Sequence, residues 1–150
     1  MDEKYLIFTV RNTWYALPSK IISEVATLEK VFPLPLVPDY VRGIINRYSV
    51  PYVLIDISFL LVKETLDAHK VIVLKEDVDK LAFLIDDVTD IADLPCESLM
   101  KIEQEGTGFS DAGGTGLVSA FFEWKGNPVF CLELEEINSR IKQDFSQPEG

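Results

Sequence analysis

Short runs of apolar and β-branched residues, separated by compact turn signals, set the pattern of this chain. Residues 4–10 (KYLIFTV) and 14–17 flank Arg11-Asn12-Thr13 and predict a hairpin. Pro18-Ser19 closes it, and Ser19 caps a short helical turn before Ile21-Ile22. Residues 24–28 read as strand. Pro33, Pro35 and Pro38 stiffen an extended lead-in, because proline fixes φ and donates no backbone hydrogen bond. One helical turn over DYVR (39–42) follows. Residues 43–46 and 50–57 then predict a strand pair around Arg47-Tyr48-Ser49, with a helical turn at 59–61.

Residues 70–75 (KVIVLK) and 80–85 (KLAFLI) form a further predicted pair around Glu76-Asp77-Val78-Asp79. Leu81, Phe83 and Ile85 share one face of the second strand and Ala82 and Leu84 the other, so it is expected to be covered on both sides. Residues 88–92 extend this sheet. Five of the eight glycines (Gly106, Gly108, Gly113, Gly114, Gly116) fall within 103–116, which predicts a mobile loop with Phe109 as its only anchor. Residues 117–124 and 128–132 predict a closing hairpin around Lys125-Gly126-Asn127. Leu134, Ile137 and Ile141 then fall at helical spacing. Many short strands with little helix predict a small barrel or sandwich, and the likeness of the 4–17 and 70–85 pairs suggests two β-rich halves.

The 150 residues fit one domain, and 47% hydrophobic with 26% charged residues is ordinary for a globular chain. A formal net charge of −11 opposes nucleic acid and a general membrane-surface role. No apolar run reaches the roughly 20 residues of a membrane-spanning helix. The acidic start lacks the basic region of a secretory signal. Cys96 and Cys131 stand far apart with no CxxC spacing, and read as reduced thiols of a cytoplasmic protein.

Candidate chemistry is sparse. His69, the only histidine, lies in a polar connection with no Ser-His-Asp partners. Asp86, Asp87, Asp90 and Asp93 crowd one segment, but a strand sends Asp86 and Asp87 to opposite faces, so no metal is expected there. The glycine-rich segment has no GxxxxGK[ST] pattern, and acidic neighbours would repel phosphate. Trp14 and Trp124 read as core or rim aromatics. No catalytic residue and no cofactor are expected.

Four pieces of the sequence, in order, resemble the CheW-like coupling proteins of bacterial chemotaxis. LIFTVRNTWYALPSKIISEV resembles the family's hairpin and its V-x-E-[IV] element, here Ile22-Ser23-Glu24-Val25. PLPLVPDYVRGIIN resembles the proline-rich lead into a Y-[VI]-x-G-[VI]-x-N strand. VIVL…LAFLIDDVTDI resembles the strand pair ending in V-D-x-V, here Ile85-Asp86-Asp87-Val88. GLVSAFFEWKGNPVFCLELEEI resembles the closing hairpin and terminal helix.

The resemblance implies a mainly β fold: two small five-stranded β-barrels with short helices and a C-terminal helix, together one domain. It implies a non-enzymatic cytoplasmic adaptor. Its partners would be a chemoreceptor cytoplasmic tip and the regulatory domain of a CheA-type histidine kinase, with no nucleic acid and no membrane insertion. It places partner contact at Ile22, Glu24, Tyr40, Val41, Arg47 and Tyr48. Fold maintenance falls to Gly43, Asn46, Asp56, Asp86 and Val88. The sequence departs from the family at 47–49, where Arg-Tyr-Ser replaces Leu-Arg-Gly, and Pro51 displaces the usual proline. That departure implies an altered coupling surface, and with it a divergent adaptor that binds one partner or caps an array. The Asp86–Asp93 cluster offers an alternative of a different class, a small acidic metal-dependent hydrolase or ligand-binding barrel.

Overall fold

A computed structural model describes residues 2–95, 99–101 and 116–146. The predicted mobile loop at 103–116 lies outside the described residues apart from Gly116, as do its Phe109 anchor and Cys96. The elements run β1 (Asp2–Val10), β2 (Thr13–Pro18), a 3-10 turn (Ser19–Ile21), β3 (Ile22–Thr27), β4 (Val41–Arg47), β5 (Val50–Asp56) and α1 (Ile57–Val62). They continue as β6 (Lys70–Leu74), β7 (Leu81–Ile85), β8 (Asp87–Pro95), β9 (Met100–Lys101), β10 (Val118–Trp124), β11 (Asn127–Leu132) and α2 (Leu134–Ser146).

Three hairpins share one turn geometry. Val10 pairs Thr13, Arg47 pairs Val50 and Trp124 pairs Asn127, which leaves two-residue loops. All six loop residues have positive φ: Arg11 50°, Asn12 68°, Tyr48 52°, Ser49 67°, Lys125 50° and Gly126 82°. Such loops match the right-handed twist of the strands they join. Thr13, Arg47 and Asn127, expected in the turns, therefore belong to the ladders. The expected helical turn at 39–42 is also shorter than expected. Val41 N donates to Pro38 O at 2.9 Å, and Val41 already opens β4.

The strands form two sheets, ordered β8-β1-β2-β11-β10-β9 and β3-β6-β7-β5-β4. The first therefore has six strands rather than five. Parallel pairs β2–β11 and β5–β7 make both sheets mixed. The chain starts in the six-stranded sheet, leaves it for β3–β7, and returns through β8, where Asp86 N donates to Thr9 O at 2.9 Å.

Neither sheet closes into a barrel through its backbone, because no ladder joins β3 to β4 or β8 to β9 among the described residues. Side chains bridge the curled sheets instead. Arg47 on β4 binds Glu24 on β3. In the larger sheet Trp124 Nε1, at the end of β10, donates to Asp90 of β8 at 2.9 Å, and Lys125 Nζ lies 2.8 Å from the same carboxylate.

The main core joins residues of both sheets: Leu6, Phe8 and Leu17 cluster with Leu54, Ile55, Ile72, Phe83 and Ile85, and α2 adds Ile137 and Ile141. A smaller core of Tyr5, Ile7, Ala16, Ala92, Phe122 and Val129 fills the other face of the six-stranded sheet. β7 is buried at all five positions, as its run of apolar residues implies.

Candidate docking surface

The contacts that build the surface begin at Gly43, whose φ is 138°. A Cβ there would lie 2.4 Å from the Phe32 carbonyl oxygen and 2.8 Å from Val31 Cγ1. Only glycine lets residues 31–32 pass so close to β4. Phe32 N then donates to Ile44 O, and Ile44 N to Phe32 O, each at 2.8 Å. The proline-rich segment is thus pinned along the outer edge of β4. Leu36, within it, has a φ of 59° and is 83% exposed.

Glu24 and Arg47, 23 residues apart in sequence, meet across the β3–β4 seam. Arg47 Nε donates to one Glu24 carboxylate oxygen at 3.1 Å and Nη2 to the other at 2.8 Å. This two-pronged geometry holds the guanidinium plane in one orientation. The Glu24 hydrogen bond also raises the Arg47 pKa, so the guanidinium stays charged. The Tyr48 ring, 5.4 Å from the guanidinium carbon, stacks on it. Tyr48 is 85% exposed in a left-handed conformation that a bulky side chain adopts only at a cost of about 1–2 kcal/mol. A cleft of about 330 Å³ opens beside the pair, lined by Thr27, Leu28, Phe32, Ile45, Asn46 and Arg47. Ile22, half-buried, starts β3 two residues before Glu24.

Tyr40 and Val41 are buried in the main core. The Tyr40 hydroxyl donates to Asp144 near the end of α2, and burial first, then that carboxylate, pushes its pKa up. Expected as contact residues, Tyr40 and Val41 are instead both buried in the core. Asp56 is fully buried. It accepts from Phe59 N at 3.1 Å, Leu66 N at 3.0 Å and Arg42 Nη1 at 3.2 Å, which caps α1 and ties down the loop after it. Asn46 is exposed on the cleft wall. Val88 packs against the main core.

The four clustered aspartates do not converge. Asp86 accepts from Arg11 N at 2.7 Å, at the β1–β2 turn. Asp87 binds Lys70 Nζ at 2.6 Å, a bond that lowers its pKa. Asp90 takes Lys125, Trp124 and its neighbour Ile91 N, which hold its pKa down at about 2. Asp93 binds Lys4 at 3.2 Å. Among the described residues no three His, Cys, Asp or Glu side chains group as metal ligands. Cys131 is buried, which together with the nearby Glu133 pushes its thiol up to about 12 and favours the protonated form.

Two contacts escape the sequence reading: the Phe32 bridge to β4 and the Tyr40–Asp144 bond. The first had one available signal, a glycine in mid-strand, which marks close backbone approach. The second joins residues 104 apart and had none.

No curated protein is significantly similar to the chain in sequence. Among solved structures, the chain is similar to the scaffolding protein TtCheW from Thermoanaerobacter tengcongensis. The TM-score is 0.77 at 16% identity, over 89% of this chain and 86% of that one. Residues 4–142 match the CheW-like domain, so the chain belongs to the CheW-like domain family.

Proposed function

We propose that this chain is a non-enzymatic chemotaxis adaptor that couples a chemoreceptor cytoplasmic tip to the regulatory domain of a CheA-type histidine kinase in the cytoplasm. Family membership supports the adaptor role. The observation that carries the site is the Glu24–Arg47 pair with Tyr48 stacked on it. A rigid guanidinium beside an exposed aromatic ring is the composition of a binding hot spot. Ile22, Glu24, Arg47 and Tyr48 are the contact residues in this reading, and Tyr40 and Val41 act by holding β4 in place. Docking proceeds by packing, with no bond made or broken.

Titration with both partners tests the reading. The expected result is binding to each at micromolar concentration. No binding to either at about 50 µM, where even a weak specific complex would register, would end the coupling role. The alternative, an adaptor of one partner, is favoured by the Arg-Tyr-Ser turn. Restoring Leu-Arg-Gly at 47–49 and measuring kinase activation separates the two. A gain in activation identifies a chain specialised away from coupling, and no gain favours the full adaptor.

A further inference from the structure

β8 is an edge strand. It pairs with β1 on one side, and no strand joins its other side among the described residues. The register says which of its peptide groups face that open side. Val10 and Thr13 close a two-residue loop, so the N–H and C=O of Val10 point to β2. Direction alternates along a strand, which sends those of Thr9, Ile7, Tyr5 and Glu3 to β8. The bond from Asp86 N to Thr9 O agrees with this. Opposite Ile7, Tyr5 and Glu3, the residues Asp90, Ala92 and Leu94 turn their backbone groups toward β1. Val88, Ile91, Asp93 and Pro95 therefore direct theirs away from the sheet.

An open edge of this length normally offers another strand a row of donors. Here the row is interrupted. Asp87 Oδ1 accepts from Val88 N at 2.8 Å, and Asp90 Oδ1 accepts from Ile91 N at 2.9 Å. Pro95 has no N–H to give. Of the four, only the Asp93 N–H is left without a bond among the described residues. Both carboxylates are anchored from other strands. Lys70 Nζ lies 2.6 Å from Asp87 Oδ1, and Trp124 Nε1 and Lys125 Nζ hold the second oxygen of Asp90. Ile91 is 56% exposed on the same strand, an apolar side chain that a pairing strand would cover.

We propose that Asp87 and Asp90 close the β8 edge to strand addition, and that without them β8 of a second copy of this chain pairs antiparallel across it. The same strand on both sides makes the contact two-fold and limits it to a dimer. The proposal is independent of the adaptor reading, which concerns the β3–β4 seam.

Sedimentation of the full chain tests it. At about 100 µM, wild type is expected to be a monomer and Asp87→Ala/Asp90→Ala a dimer, a Kd brought into the micromolar range. In that dimer the Asp93 amide should gain protection from hydrogen exchange. Asp87→Asn/Asp93→Ala is the control. It removes the same number of negative charges, keeps an acceptor at 87 and leaves Asp90 intact, so it should stay monomeric. A monomeric double-alanine variant would overturn the proposal, as would a dimer in which Asp93 gains no protection. A control that dimerises equally would also overturn it, because loss of charge alone would then suffice. If loss of the Asp90 contacts unfolds the double variant, the wild-type chain decides. Its Val88 and Ile91 amides are expected to exchange more than about tenfold slower than Asp93 after correction for neighbouring residues. Equal rates would mean that the carboxylates do not cap the edge.

Discussion

Gly43 is the residue on which the outer edge of the five-stranded sheet turns. Any side chain there meets the Phe32 carbonyl at 2.4 Å, and the obstacle is backbone that cannot rotate away. Gly43→Ala is therefore expected to cost about 2 kcal/mol or more, from strain and loss of the Phe32–Ile44 bridge. Denaturant titration would measure it. Arg47 presents the opposite balance. Arg47 and Glu24 are 22% and 24% exposed, and pairs so near the surface contribute about 1 kcal/mol or less. Arg47→Ala should thus leave stability almost unchanged, yet weaken partner binding about tenfold if the pair orients Tyr48 as proposed. Equal losses of both would make the pair a structural seal alone.

Asp90 carries a pH dependence whose sign follows from its environment. Lys125, Trp124 and Ile91 N hold its folded pKa at about 2, below the ordinary carboxylate value of about 3.9. Its stabilising contribution is complete above about pH 5 and is lost as pH falls toward 2. The melting-temperature gap between wild type and Asp90→Asn should therefore be widest near neutrality and close across that acid window. A gap independent of pH would show that the carboxylate charge does not hold this seam.

Among the elements, the hairpins were the most legible and their turns the least. Alternation located the β1–β2, β4–β5, β6–β7 and β10–β11 pairs, because half-buried strands write their two faces into sequence. It placed Thr13, Arg47 and Asn127 in turns because polar residues at strand ends look like loop. Register, not polarity, assigns them to the ladder. Pro51 was compatible with strand since it precedes the first β5–β7 pair, Val53 with Leu81, where a missing N–H costs no ladder bond. The helix α2 was legible from Leu134, Ile137 and Ile141, all of which reach the main core. Ile137 is fully buried, and Ile137→Ala is expected to cost about 3 kcal/mol through lost burial and the cavity left behind. At the candidate surface the sequence named both members of the Glu24–Arg47 pair but not the pairing. Seam contacts depend on sheet curl, which leaves no local pattern.

At the scale of the molecule, the order in which the chain visits its sheets matters more than their separate strands. β1 and β2 lie beside β8 and β11, yet β3–β7 form the other sheet between them in sequence. The six-stranded sheet is assembled from two separate stretches of chain with the whole five-stranded sheet inserted between them, and Leu6, Phe8, Leu54 and Phe83 share one core. The two sheets are therefore expected to unfold together. Both tryptophans, Trp14 and Trp124, belong to the six-stranded sheet, so their fluorescence reports that sheet alone. Leu54 lies in the other sheet and is 1% exposed. Leu54→Ala should cost about 3 kcal/mol, and the tryptophan signal should register the full loss at the same midpoint as far-UV circular dichroism. A tryptophan transition that stays at the wild-type midpoint would mean that the six-stranded sheet holds without its neighbour. In that case a surface fixed by β3 and β4 would move independently of the six-stranded sheet.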